Sequence, residues 1–179
     1  MSPTCTGAGS PMSAPRPGAR PEPRATLPGA GSTAAQFSAM LARYSPPVAA
    51  CARGVLARLR RQVPGAVELV YDNYNALVVG FGASERASEA VLSVALYPRW
   101  VTLFFLDGRA LRDPGGLLEG DGKLVRRIML AAAADLDRPA VRALVRQAVR
   151  AADPPIDARG KRRMVIRAVS KQQRPRSPR

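Results

Sequence analysis

The chain contains no histidine. That absence removes the usual general base for serine and cysteine nucleophiles. It also removes the common protein ligand of zinc and of haem. Only two cysteines occur, Cys5 and Cys51, too few for a disulfide framework or a tetrahedral thiolate site. Lysine is scarce: Lys123, Lys161 and Lys171 stand among 28 basic residues, so the basic charge is almost entirely arginine. Aromatic residues make up 5% of the chain. No window of 18 uncharged apolar residues exists, so no membrane-spanning helix is expected. The first residues lack the apolar run of a secretory signal, and with so few cysteines a reducing cytoplasm is the expected setting.

What is present is unevenly distributed. Residues 1–33 hold seven prolines, three arginines and one glutamate, with almost nothing large and apolar. Such a stretch cannot bury enough surface to offset the entropy of ordering it. Residues 154–179 hold nine basic residues against one acid, more than half of the net charge of +15. The expected organisation is therefore a Pro/Arg-rich arm over 1–33, one folded domain over 34–170 and a basic tail over 171–179.

Within the domain, Phe37, Met40, Leu41 and Tyr44 share one face of a short predicted helix. Ser45 and Pro46 suit the N-cap and first position of a second helix reaching about Val63. Its apolar face carries Val48, Cys51, Ala52, Val55, Leu56 and Leu59, which makes Cys51 a buried thiol. Its other side carries Arg53, Arg58, Arg60 and Arg61. Strands follow over 66–71, 76–81, 91–97, 101–106 and 124–130, joined first by the turn-forming Asp72-Asn73-Tyr74-Asn75 and then by Pro98-Arg99-Trp100. Asp137 reads as the cap of a last helix running to about Ala151, with Val141, Leu144, Val145, Ala148 and Val149 inside. Residues 164–169 read as an extra edge strand. Short hairpin links imply antiparallel pairing. The expected fold is α+β: a two-layer sandwich with an antiparallel sheet of about five strands, covered on one face by two helices.

The segments VELVYDNYNALVVGF, VLSVALYPRWVTLFFLDG and DPGGLLEGDGKLVRRIML resemble the YdhG-like domain family, a bacterial domain of unknown function, over roughly residues 45–151. The resemblance implies a frataxin-like sandwich and no settled activity; some relatives have been linked to iron handling. Iron sites of that kind resemble an acidic ridge on the first helix and first strand. Here the helix is arginine-rich and the strand region offers only Glu68 and Asp72, a field that repels hard cations rather than collecting oxygen ligands for them.

Other catalytic patterns are weak. Gly116–Lys123 (GLLEGDGK) has leucine where a phosphate loop needs its first glycine and its hydroxyl residue. Glu119 with Asp121, and Asp107 with Asp113, are turn residues beside glycine. No catalytic residue, metal site or cofactor is therefore expected, and an enzyme is the less favoured class. Two surface features remain. Tyr71, Asp72, Tyr74 and Asn75 at one hairpin tip and Arg99 and Trp100 at the other fall at the same end of a meander, and could form one binding pocket. Arg138, Arg142, Arg146 and Arg150, spaced i, i+4 on the last helix, join Lys161, Arg162 and Arg163 as candidates for polyanion binding. The leading expectation is a non-enzymatic binding or adaptor module. The alternatives are RNA or DNA binding through the basic C-terminal segment, and iron binding. An acidic protein or a nucleic acid is the expected class of partner, and a membrane is not.

Overall fold

The computed structural model describes residues 32–177. Most of the expected arm over 1–33, with Cys5, lies outside the described residues. Ser32 opens the fold by accepting the Ala35 N–H at 3.2 Å on its hydroxyl, which satisfies one of the donors a helix start leaves free. Helix α1 (Thr33–Ala42) follows, with Phe37, Met40 and Leu41 buried. Helix α2 (Pro46–Gln62) begins with proline at its first position, behind Ser45. Ser45 occupies the cap position, yet its hydroxyl makes no capping bond. Val48, Ala49, Ala52, Val55, Leu56 and Leu59 form the buried stripe, while Cys51 is only half-buried at its edge. Pro64-Gly65 ends the helix. Gly65 has φ +75°, and a Cβ there would lie 1.9 Å from the carbonyl oxygen of Asp157, so only glycine fits.

Six strands follow: β1 (Val67–Asp72), β2 (Leu77–Gly82), β3 (Ala90–Leu96), β4 (Val101–Phe105), β5 (Arg126–Leu130) and, after helix α3 (Pro139–Arg150), β6 (Arg163–Val169). Their order across the sheet is β5-β4-β3-β2-β1-β6. The four hairpin-type neighbours pair antiparallel, but β6 lies parallel to β1. The sheet is thus an open mixed sheet of six strands with three helices, which corrects the expected antiparallel sheet of about five strands under two helices. A tight turn must reverse the chain, whereas the route from β5 through α3 lets it return in the direction of β1.

One parity of every strand faces a single core. Leu77, Val79 and Phe81 of β2, Leu92, Val94 and Leu96 of β3, and Val101, Leu103 and Phe105 of β4 meet the apolar sides of all three helices. Each such leucine contributes about 1.5–3 kcal/mol by leaving water. The register places Glu68, Val70 and Asp72 of β1 on this same inner parity, opposite Phe81, Val79 and Leu77. Two carboxylates therefore enter the helix-facing side of the sheet. Among the described residues no helix is long and apolar enough to cross a membrane.

Of the segment after β6, expected to be a tail from 171, the described residues 170–177 form no helix or strand. It is nonetheless docked: Ser170 N donates to Asp72 O at 2.8 Å, Arg174 N donates to Tyr74 O at 2.9 Å, and Arg176 is only 4% exposed.

Candidate functional site

The end of the sheet that carries the β1–β2 and β3–β4 turns is built by ordinary turn bonds. Asn73 N donates to Ala76 O at 3.0 Å, and Tyr97 N donates to Trp100 O at 2.9 Å. Because β1 to β4 are consecutive neighbours, both turns fall at the same end. Between them lies an open groove of about 1000 Å³, lined by Tyr74, Asn75, Arg99 and Trp100 together with Asn73, Tyr97 and the docked residues Arg174, Pro175 and Ser177. Tyr97 and Trp100 stack with ring centroids 5.3 Å apart and planes inclined by 29°. Tyr74 and Trp100 stay 51% and 42% exposed, well above what aromatics that merely plug a sheet end would show. Both charged liners, Arg99 and Arg174, are cationic, and no carboxylate shares the lining.

Four of the six expected pocket residues thus converge: Tyr74, Asn75, Arg99 and Trp100. Tyr71 and Asp72 do not line the groove. Tyr71 is half-buried on the outer parity, between Val78 and Ala168. Asp72 belongs to β1 rather than to the turn and is 1% exposed. Its carboxylate accepts from Arg43, at the end of α1, and from Arg176 at 2.8 Å. The Arg176 guanidinium also donates to Asn73 O and lies 5.6 Å from the centroid of the Tyr44 ring, a distance suited to cation–π attraction. Tyr44 in turn donates to Leu96 O at 2.9 Å and accepts from Leu77 N at 3.0 Å. Burial pushes its phenol above the ordinary value, against the pull of the Leu77 hydrogen bond and of Arg176.

Glu68 is buried in the same way four residues earlier. Arg60 of α2 grips it with two parallel bonds of 2.9 and 2.7 Å, and Arg162 stands 3.6 Å away. Both carboxylates that an iron site would have used are thus held by arginines, and among the described residues no three His, Cys, Asp or Glu side chains gather as metal ligands. Burial, with Asp135 nearby, pushes the Cys51 thiol up, away from thiolate reactivity.

The polyanion candidates divide. Arg162 pairs with Glu68, and Arg163 with Glu85 at 2.7 Å, while Lys161 is exposed. On α3, Arg142 and Arg146 face Arg58 and Arg61 of α2 across a cleft. Arg150 lines a different hollow beside Arg112, and Arg138 sits exposed at the helix cap. An i, i+4 row drifts about 40° per step around a helix of 3.6 residues per turn, so four such residues do not keep one face. Asp137, expected to cap α3, instead accepts from Arg58 at 2.6 Å. A 3-10 turn over Ala133–Asp137 delays the helix start to Pro139.

Sequence reasoning missed Tyr97 and Arg174. Tyr97 carried a usable signal, since it brackets Pro98-Arg99 with Trp100 and a closed turn brings bracketing residues together. Arg174 carried none, because its place depends on β6 lying against β1.

Fold and groove together define a class: an α+β protein with an open mixed sheet and an aromatic, cationic groove at its hairpin end. Comparison with protein-family models, curated proteins and solved structures finds no match for the chain.

Proposed function

We propose that the chain is a non-enzymatic binding module that receives an acidic protein segment in the hairpin-end groove. The observation that carries this reading is the convergence of exposed Tyr74 and Trp100 with Arg99 and Arg174 in a groove that has no acid of its own. Exposed Tyr, Trp and Arg are the side chains that dominate protein interfaces, because they offer large contact area and strong polar tips. The two guanidiniums favour carboxylates on the partner. The run of α2, five strands and α3 also supports reading the domain as YdhG-like with a frataxin-like two-layer arrangement, to which α1 and β6 are additions. The half-buried free Cys51 fits a reducing cytoplasm. Polyanion binding through residues 154–179 is less favoured, because Arg162, Arg163, Arg167 and Arg176 are drawn into pairs with Glu68, Glu85 and Asp72.

Trp100 is the only tryptophan of the chain, so its fluorescence reports on the groove directly. Titration with synthetic acidic peptides containing an aromatic residue is expected to shift and saturate that emission. Arg99→Ala and Arg174→Ala should each weaken the response severalfold. An emission that no such peptide alters at millimolar concentration, or one that both variants leave intact, refutes the reading.

A further inference from the structure

A second cleft, of about 410 Å³, opens between α2 and α3 away from the groove. Arg58 and Arg61 lie three residues apart on α2, and Arg142 and Arg146 lie four apart on α3. Each pair therefore shares one side of its helix, and the two sides face each other across the cleft. Asp137 is the one carboxylate in the lining, and Arg58 already holds it at 2.6 Å. Arg61, Arg142 and Arg146 form no ion pair with any acid of the described residues. Arg58 chiefly, and Arg61 and Arg142 with it, favour the ionised form of the Asp137 carboxyl, so the guanidiniums crowd one small volume.

Such crowding opposes itself in the free protein, since like charges on neighbouring turns repel. An oxyanion between the helices turns that repulsion into attraction, and the guanidinium fork fits phosphate oxygens two at a time. The lining contains no aromatic residue, so nothing there stacks on a nucleobase or selects a mononucleotide. With Arg58 paired to Asp137, the three remaining guanidiniums still exceed what a single phosphate neutralises. Exposed Arg138 extends the positive surface along α3.

We propose that the α2–α3 cleft binds the phosphate backbone of nucleic acid without reading its bases. This site is independent of the groove at Trp100. Phosphate-backbone binding of this kind falls steeply with salt, with a slope of about 0.9 per phosphate contact on a duplex.

The test is fluorescence anisotropy of a labelled RNA duplex, and a DNA duplex of the same length, against the full chain between 50 and 200 mM salt (about the range over which such contacts weaken strongly). Arg142 and Arg146 are both exposed, so the double variant Arg142→Gln/Arg146→Gln should keep its melting temperature. It is expected to bind both duplexes about tenfold more weakly, with the salt slope reduced by about 1.8. The control Arg159→Gln/Lys161→Gln removes the same charge from exposed positions outside the cleft and should bind within twofold of the parent. Equal loss in control and cleft variants means diffuse attraction by net charge and overturns the proposal, as does a duplex that fails to bind at 50 mM salt. Displacement of the duplex by millimolar inorganic phosphate at matched ionic strength, or tighter binding to phosphatidylserine vesicles than to either duplex, also overturns it. Trp100 emission should be unaltered by duplex binding; a change there places the nucleic acid in the groove instead.

Discussion

The two ends of β1 solve one problem by different means. At one end Glu68 and at the other Asp72 point into the helix-facing side of the sheet, each about 1% exposed. Glu68 takes its principal partner from nearby: Arg60 lies eight residues back on α2 and grips it with two bonds. Asp72 takes its partners from afar, Arg43 being 29 residues before it and Arg176 being 104 after it. The near end fastens one helix to one strand. The far end ties α1, the sheet and the segment after β6 together through one carboxylate. A buried carboxylate is costly unless paired and hydrogen-bonded, so such residues can enforce long-range order that apolar packing would leave loose.

The contrast can be broken most forcefully at Asp72. Asp72→Asn removes the counter-charge of the buried Arg176, whose Nε and Nη1 already lack partners. It should destabilise the protein by about 3–5 kcal/mol, the range for breaking a buried pair, as read by urea denaturation. Proteolysis should then begin in the segment after Val169. Arg60→Gln attacks the other end and should cost about 2 kcal/mol, since Arg162 remains within 3.6 Å of Glu68; that segment should stay protected. Equal losses in the two variants, with equal proteolysis, would erase the distinction between the ends.

A smaller effect tests the surroundings of Asp72. The Tyr44 phenol titrates above its ordinary value because it is buried. A raised folded-state pKa contributes stability that is present below the unfolded value, about 10, and is lost as pH rises through the folded value. The stability of the parent should therefore fall as pH climbs past about 10, and that decline should shrink in Tyr44→Phe. The smallest effect comes from a pair outside the core. Arg58 holds the exposed Asp137 carboxyl below its usual range. A depressed carboxyl contributes stability that is present above the unfolded value and lost as pH falls through the folded one. Arg58→Gln should raise the Asp137 midpoint toward the ordinary carboxylate value in an NMR titration, with a barely measurable change in melting temperature.

Much of the architecture was legible where local chemistry decides it. The strand positions followed from alternation and turn residues, and the placing of Tyr74 and Trp100 on one groove followed from meander geometry alone. The end of α2 followed from Pro64-Gly65. What was not legible depended on contacts between distant segments. Nothing near Met164–Val169 says that it pairs parallel with β1, and without that pairing Arg176 reads as part of a solvated tail. Asp72 sits in a sequence rich in turn residues, so its burial at the end of β1 was hidden by its neighbours. Ser45 and Asp137 have the composition of helix caps; one hydroxyl makes no capping bond and the other residue is captured by Arg58. Side-chain type told where a helix could begin, but the competing arginine lay on another helix.

One wall of the groove consists of Arg174, Pro175 and Ser177, about a hundred positions later in the chain than the Tyr74 turn they face. Arg176 ties that wall to Asp72 at 2.8 Å, so the shape of the groove between two hairpin turns depends on a carboxylate buried outside it.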